Sequence, residues 1–64
     1  MKLTCREDDI IRLLVKGLTN KQIGRKLDIS DHTVRDHISS MLKKTKTASR
    51  VELAVRAIEL NVLN

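Results

Sequence analysis

The chain has 64 residues, which is enough for one small domain but not for two. Hydrophobic residues make up 41% of it and charged residues 33%, a composition typical of a folded protein. The absence of Phe, Trp and Tyr disfavours single-strand binders that stack bases on aromatic rings, and a single cysteine excludes a disulfide-stapled scaffold. No apolar run approaches the roughly 20 residues of a membrane span, so we expect a soluble protein of the cytoplasm.

The positive charge is concentrated in the middle of the chain. The formal net charge is +5, and residues 20–46 alone carry seven Lys or Arg against three Asp. Residues 1–19 and 47–64 are close to neutral by comparison. A polyanionic partner is therefore expected to bind the middle segment.

Helix-start chemistry occurs four times along the chain. A Ser or Thr that can cap a helix is followed three residues later by a Glu or Gln, the capping-box pattern, or by a Thr. The pairs are Thr4 and Glu7, Thr19 and Gln22, Ser30 and Thr33, and Ser49 and Glu52. Gly17 can end the first helix in the left-handed conformation. These signals predict helices over about 5–16, 20–27, 31–44 and 50–60.

The spacing of apolar residues predicts an all-α, compact four-helix domain spanning residues 1–64. Apolar residues recur three or four apart and should face one shared core: Ile10, Leu13, Leu14, Ile23, Leu27, Val34, Ile38, Met41 and Leu42. Only Asp28 and Ile29 separate the second helix from the cap of the third, which indicates a central helix-turn-helix. Gly24 inside the second helix suggests a close approach of another segment.

The third helix has a hydrogen-bonding face opposite its apolar face. At 100° per residue, His32, Asp36, Ser39 and Lys43 form one stripe, with Arg35 at its edge. Such a stripe can be the ordinary solvated side of an amphipathic helix. In a helix-turn-helix, however, the second helix enters the major groove of DNA by its N-terminal part. That part carries the candidate base-reading residues His32, Arg35, Asp36 and Ser39.

The chemistry of these residues suits a duplex. Arg35 can donate two hydrogen bonds to guanine, and Thr33 can bind a phosphate together with the amides of the helix start. Lys43, Lys44 and Lys46 can neutralise further phosphates. Asp36 leaves two interpretations open: it can accept a hydrogen bond from cytosine N4, or it can pair with His32 four residues earlier.

The last helix carries two apolar stripes that lie on opposite sides. We expect Val51, Ala54, Val55 and Ile58 to close the core. The second stripe, Leu53, Ala57 and Leu60, is then exposed and is either incidental or an interface. Its spacing favours a dimer interface through this helix.

The residues offer little chemistry for catalysis or metal binding. His32 and His37 are five apart, a spacing that does not place both on one helix face, and Cys5 is distant in sequence. No nucleophile elbow or phosphate-binding glycine loop occurs. We therefore expect no enzyme, no metal and no cofactor.

Five sequence blocks occur in order along nearly the whole chain. They are Leu3-Thr4-x-Arg6-Glu7, Gly17-Leu18-Thr19-Asn20-Lys21-Gln22-Ile23, Ile29-Ser30-x-x-Thr33-Val34-Arg35-x-His37, Met41-Leu42-Lys43-Lys44 and Ser49-Arg50-x-Glu52. Together they resemble the LuxR/NarL-type, GerE-like DNA-binding domain of bacterial response regulators. The resemblance implies a four-helix transcription regulator domain whose fourth helix dimerises.

The resemblance also implies roles for individual residues. The third helix becomes the recognition helix, with His32, Arg35, Asp36 and Ser39 at base-reading positions. The residues implied or inferred to lie at the DNA backbone are Asn20, Lys21, Lys26, Thr33, His37, Ser40, Lys43, Lys44 and Lys46. Asp36 and Ser39 depart from the residues common in the family, so the target sequence of a relative does not transfer.

Partners follow from the same resemblance. We expect double-stranded DNA with inverted or paired half-sites, a homodimer, and RNA polymerase as a further partner, at the bacterial nucleoid. An N-terminal receiver or ligand-sensing domain is expected to be missing from the chain, unless the chain is a complete small regulator. Two alternatives stay open: a helical protein–protein adaptor and a sigma-factor-like promoter-reading domain.

Overall fold

The computed structural model describes residues 3–60 and contains four α-helices in that range. They are α1 (Cys5–Val15), α2 (Asn20–Leu27), α3 (Asp31–Thr45) and α4 (Arg50–Glu59), and no strand lies within residues 3–60. Every helix boundary lies within one residue of the predicted one, and the prediction of an all-α four-helix domain is confirmed. The predicted domain range of 1–64 extends outside the described residues at 1–2 and 61–64.

The first two helices begin with the predicted capping boxes. Thr4 Oγ1 accepts a hydrogen bond from the Glu7 amide at 3.1 Å, and Glu7 Oε1 accepts one from the Thr4 amide at 3.0 Å. Thr19 and Gln22 form the same reciprocal pair at 3.2 and 2.8 Å. Each cap satisfies amides that the helix start would leave unpaired and contributes about 1 kcal/mol.

Serine caps begin the other two helices, but the predicted capping box at α4 is only half formed. Ser30 Oγ accepts from the Thr33 amide at 3.0 Å, as predicted, and Ser49 Oγ accepts from the Glu52 amide at 3.2 Å. Glu52 Oε2 accepts from the Ala48 amide at 3.3 Å rather than from the Ser49 amide. Ser49 has a φ of −149°, whereas Thr4 and Thr19, the caps of the two complete capping boxes, have φ values of −70° and −76°.

The end of α1 confirms the role predicted for Gly17. This glycine has a φ of +89°, a conformation that side-chain-bearing residues avoid. Its amide donates to the Leu14 carbonyl at 2.9 Å, and the Leu18 amide donates to the Leu13 carbonyl at 3.3 Å. These two bonds form a Schellman motif, which reverses the chain toward α2.

The turn between α2 and α3 passes very close to Gly24. Asp28 takes a left-handed conformation with a φ of +58°, and the Ile29 amide donates to the Gly24 carbonyl at 2.9 Å. A Cβ added at Gly24 would lie 2.6 Å from the Ile29 carbonyl oxygen, so any other residue there would force the turn to shift. The close approach predicted at this glycine is confirmed, and it makes the helix-turn-helix tight.

The core lies between α1 and the other three helices. All three pack against α1, and α3 also packs against α2 and α4. The predicted core faces of α2 and α3 are confirmed, and Leu27 and Leu42 are half-buried at their edges. In α1, Leu13 is only half-buried, whereas Ile11, which was not predicted to face the core, is buried. The buried hydrophobic residues are Ile10, Ile11, Leu14, Ile23, Val34, Ile38, Met41, Leu53 and Ala57.

The prediction for α4 is wrong about which stripe faces the core. Leu53 and Ala57, predicted to form the dimer interface, are fully buried at 0% exposure. Val51, Val55 and Ile58, predicted to close the core, are 70%, 48% and 58% exposed. Leu60 is exposed, as predicted. Both stripes have helical spacing, so only the orientation of α4 against α1 and α3 decides between them.

Candidate nucleic-acid interface

The N-terminal half of α3 presents a continuous polar surface to solvent. All four predicted base-reading residues, His32, Arg35, Asp36 and Ser39, are exposed. The opposite side of the helix is buried in the core. The helix has 15 residues and a length of about 22 Å, and a helix is the element that the major groove of B-DNA admits. This polar surface therefore has the shape and the hydrogen-bonding groups that reading a duplex requires.

His32 and Arg35 are joined on this surface. Arg35 Nη2 donates a hydrogen bond to His32 Nδ1 at 2.9 Å. The contact that the sequence suggested between His32 and Asp36 is not formed among the described residues. The side chains of Asp36 and Ser39 are exposed and have no hydrogen-bonding partner within residues 3–60.

The start of α3 directly follows the turn that ends α2, and its Thr33 is engaged locally. Thr33 Oγ1 lies 2.9 Å from Ser30 Oγ, which also accepts from the Thr33 amide. Both residues are exposed. A phosphate at this position would be met by hydroxyl groups at a helix N-terminus, where the helix dipole favours negative charge.

Asn20, predicted to lie at the DNA backbone, is bound within the domain. Arg50 Nη1 donates to Asn20 Oδ1 at 3.0 Å, and Arg50 Nη2 donates to the Leu18 carbonyl at 3.3 Å. Arg50 thus ties the first residue of α4 to the first residue of α2. Asn20 is half-buried, and its side-chain oxygen is engaged inside the domain.

The other predicted backbone-contacting residues of α2 and central α3 differ in exposure. Lys21, Lys26 and Ser40 are exposed, whereas His37 is half-buried. Lys21 and Lys26 are five residues apart on α2, about 140° around the helix, so they do not share one face. The structure therefore does not bring all the predicted residues onto one surface.

The three lysines at the end of α3 also differ. Lys43 and Lys46 are exposed, and Lys46 takes a left-handed conformation with a φ of +56° as the helix ends. Lys44 Nζ donates to Glu7 Oε1 at 2.6 Å, and the Glu7 side chain is only 4% exposed. Lys44 was predicted to contact the DNA backbone, but its ammonium group is instead engaged in an ion pair that ties α3 to the start of α1.

The carboxyl group of Glu7 titrates below its ordinary range. Burial alone would raise the pKa of Glu7, but the hydrogen bond from Lys44, the Thr4 amide and the attraction of the Lys44 charge together lower it. Glu7 thus serves both as the reciprocal partner in the α1 capping box and as the counter-ion of Lys44. A buried charge with this set of partners stabilises one orientation of α3 relative to α1.

A second surface, the apolar groove, is formed by residues outside α3. It is a concavity of about 730 Å³ between the α1–α2 turn and α4. Its apolar lining includes Leu14, Leu18, Val51, Val55 and Ile58. Val51, Val55 and Ile58 follow one another at intervals of four and three, so they form one stripe on α4.

Two features of the site were missed by sequence reasoning. The spacing of Glu7 and Lys44, 37 residues apart, contains no local signal that they pair. The bonds of Arg50 to Asn20 and Leu18 likewise span about 30 residues. Part of the Glu7–Lys44 pair could be expected, because the capping box holds the Glu7 carboxylate at the start of α1. The sequence did not indicate which cation would reach it.

Within residues 3–60, no three His, Cys, Asp or Glu side chains are grouped so that they could hold a metal ion. No helix in the same range is both long and apolar enough to span a membrane.

Comparison with curated proteins finds relatives among transcriptional regulators. The chain is 56% identical over 54 residues to the nitrate/nitrite response regulator protein NarL of Escherichia coli strain K12 and covers 25% of that protein. It is 40% identical over 62 residues to the transcriptional regulatory protein LiaR of Bacillus subtilis and 41% identical over 63 residues to the probable transcriptional regulator ycf29 of Cyanophora paradoxa. These matches cover 29% and 30% of the two relatives, so the chain spans between a quarter and a third of their length.

Structure and family comparisons agree. A solved structure of the transcription factor GerE matches with a TM-score of 0.90 and 37% identity, covering 97% of this chain and 92% of the other. The family model for bacterial regulatory proteins of the luxR family matches residues 1–57. This is a family of DNA-binding transcription regulator domains and not of enzymes. The chain therefore belongs to the LuxR family of bacterial regulatory proteins, as a helix-turn-helix DNA-binding domain of the LuxR/NarL type.

Proposed function

We propose that this domain binds double-stranded DNA sequence-specifically, with α3 in the major groove, as the output domain of a bacterial transcription regulator. The observation that carries the proposal is the polar N-terminal half of α3, exposed on a helix that is anchored by its opposite face. Family membership supports DNA as the partner.

Base reading is assigned to four exposed residues of α3. Arg35 can donate two parallel hydrogen bonds to O6 and N7 of a guanine, a contact that discriminates by about 1–3 kcal/mol. Asp36 can accept from N4 of a cytosine and disfavours close approach to phosphates. His32 and Ser39 lie on either side of this pair along the helix and complete the surface.

Phosphate contacts are assigned to a smaller set than the sequence suggested. Asn20 and Lys44 are engaged within the domain. The set that we propose at the DNA backbone is Lys21, Lys26, Thr33, His37, Ser40, Lys43 and Lys46. Each neutralised phosphate releases counterions, so binding should weaken steeply as salt is added.

Dimerisation is assigned to the exposed stripe of α4, not to the buried one. Val51, Val55 and Ile58 expose apolar surface that water disfavours, and Leu60 lies exposed at the end of the same helix. A two-fold dimer through this stripe would place two recognition helices about 34 Å apart over paired half-sites. Because the stripe is small, we expect weak association in free solution and stronger association on DNA.

The activity of a whole regulator is a further proposal, since the chain spans about a quarter of relatives such as NarL. We propose that a receiver or ligand-sensing domain precedes this one, that RNA polymerase is a partner at promoters, and that the protein works in the cytoplasm at the nucleoid. The proposal of a preceding domain is supported by relatives that are longer than this chain and are named response regulators.

The test of sequence-specific binding is selection from a random duplex library, followed by titration of the selected duplex at two salt concentrations. We expect an enriched site with paired half-sites and a steep loss of affinity with salt. Arg35→Ala should remove the preference at one base pair, a loss of about 1–3 kcal/mol. No enrichment and no salt-sensitive binding would contradict the proposal and favour a protein–protein adaptor, whereas an unpaired, promoter-like site would favour sigma-type reading.

The dimer is tested by cooperativity on a duplex with two half-sites. Val55→Glu places a charge in the exposed stripe and should abolish cooperative binding while single half-sites are still bound. Arg56→Gln is the matched control, because it changes the net charge by the same amount from another face of α4. Cooperativity retained in Val55→Glu would remove the α4 stripe from the interface.

A further inference from the structure

We propose that His32 is a positioning residue for Arg35: its imidazole holds the guanidinium in the orientation that reads a base. This inference rests on the proposed function, in which Arg35 reads a base pair. The family resemblance gave His32 only a direct base-reading role, whereas the geometry gives it a role through its neighbour.

The hydrogen bond shows which nitrogen of the histidine ring is the acceptor. Arg35 Nη2 lies 2.9 Å from His32 Nδ1, and a guanidinium can only donate. Nδ1 must therefore carry a lone pair, which places the proton of the neutral ring on Nε2. The ring consequently accepts from Arg35 on one side and offers an N–H donor on the other.

An imidazole nitrogen is well suited to this task because, unlike a carboxylate, it accepts a hydrogen bond without bringing a negative charge. Asp31 and Asp36 lie near Arg35 in the sequence, yet neither forms an ion pair with it among the described residues. A carboxylate would neutralise the guanidinium and compete with the nucleic acid for its charge. His32 instead restrains Arg35 and leaves its positive charge in place.

The restraint does not consume the donors that a base needs. A guanidinium has five N–H groups, and the bond to His32 uses one of them. Nη1 keeps two N–H groups and Nη2 keeps one, so one donor from each nitrogen can face O6 and N7 of a guanine. Because a free arginine has many rotamers, holding it beforehand lowers the entropy that binding must remove.

The test uses two variants that separate the two ring nitrogens. His32→Asn places a carbonyl oxygen, two bonds from Cβ, where Nδ1 was, and it lacks the Nε2 side of the ring. His32→Ala removes both. His32 is exposed, so thermal unfolding should show that each variant folds as the parent does. Base preference is measured for each variant by selection and by titration of single-base-pair substitutions.

We expect His32→Ala to weaken the preference at the base pair read by Arg35 by about 2- to 10-fold, the range expected for ordering one long side chain. His32→Asn should keep most of that preference. In an Arg35→Ala background, His32→Ala should have no further effect at that base pair, since the two residues act as one unit.

Three results would overturn the inference. Equal losses in His32→Ala and His32→Asn would indicate a direct contact through Nε2 instead of positioning through Nδ1. An unchanged preference in His32→Ala, while Arg35→Ala loses it, would remove the role of His32 and leave the proposed function intact. An unchanged preference in Arg35→Ala would overturn both the assignment of Arg35 and the inference that depends on it.

Discussion

The exposed faces of α3 and α4 differ in chemistry, although both helices bury their opposite faces in the same core. The outer face of α3 carries His32, Arg35 and Ser39, whereas that of α4 carries Val51, Val55 and Ile58. In a domain of this size each helix can bury only one stripe, so the second stripe is left for other molecules. A polar stripe is suited to a nucleic acid, and an apolar stripe is suited to another protein surface.

The two exposed faces also differ in how favourably water solvates them when no partner is bound. Polar side chains on α3 are hydrated when no partner is present. The apolar stripe on α4 is unfavourable in water by about 25 cal/mol for each Å² that a partner could cover. The α4 face therefore carries its own driving force for association, while the α3 face depends on the charge and hydrogen bonds of its ligand.

The largest expected effect on the free energy of unfolding distinguishes the two faces of α4. Leu53→Glu would bury an unpaired charge in the core and should lower the free energy of unfolding by about 3 kcal/mol or more. Val55→Glu, on the exposed stripe, should change it by about 0.5 kcal/mol or less. Urea unfolding of both variants measures the difference. Similar losses in the two variants would contradict the assigned orientation of α4.

The next effect concerns the bond that fixes α3. Glu7→Gln should lower the free energy of unfolding by about 1.5–3 kcal/mol, because it removes a charged hydrogen-bond partner of Lys44. Since the folded state lowers the pKa of Glu7, its stabilising contribution is present above the unfolded pKa of about 4.3 and is lost as pH falls through the folded value. Between about pH 6 and pH 3, the free energy of unfolding should therefore decline less in Glu7→Gln than in the parent.

Asp9→Asn is the matched control for this pH series. It removes the same charge from an exposed position on α1 whose ion pair with Arg6 is at 4.0 Å. We expect it to leave the pH profile close to that of the parent. A profile that is as steep in Glu7→Gln as in the parent would exclude Glu7 as the titrating group.

A smaller effect is expected where α4 meets α2. Arg50→Met should lower the free energy of unfolding by about 1 kcal/mol, since it removes the bonds to Asn20 and to the Leu18 carbonyl. Arg56→Met, on an exposed part of the same helix, serves as the control. Equal stability of the two variants would show that the Arg50 bonds contribute nothing measurable.

The last expected effect is on DNA binding and distinguishes two adjacent lysines of α3. Lys43→Ala should weaken binding to all duplexes and reduce the slope of log affinity against log salt by about 1. Lys44→Met should leave that slope unchanged, because the charge of Lys44 is already paired with Glu7. Titrations at several salt concentrations measure both slopes, and equal changes in the two variants would contradict the pairing.

Much of the candidate site could be predicted from residues close together in sequence. The polar face of α3 follows from positions 32–43, and its capping serine precedes it directly. The α4 stripe could not be predicted, because Leu53 and Ala57 match the helical period as well as Val51, Val55 and Ile58 do. The pairing of Lys44 could not be predicted for a related reason, since its partner Glu7 is 37 residues away in sequence.

The ends of the helices follow from local sequence, because caps such as Thr4, Thr19 and Ser30 and the left-handed Gly17 act within a few residues. Local sequence also determines which side of α3 is polar, since one helix defines its own faces. The packing of the helices against one another, by contrast, sets which stripe of α4 is buried and which lysine of α3 pairs with Glu7. These outcomes depend on how helices pack across the core, and packing joins side chains that no local pattern relates.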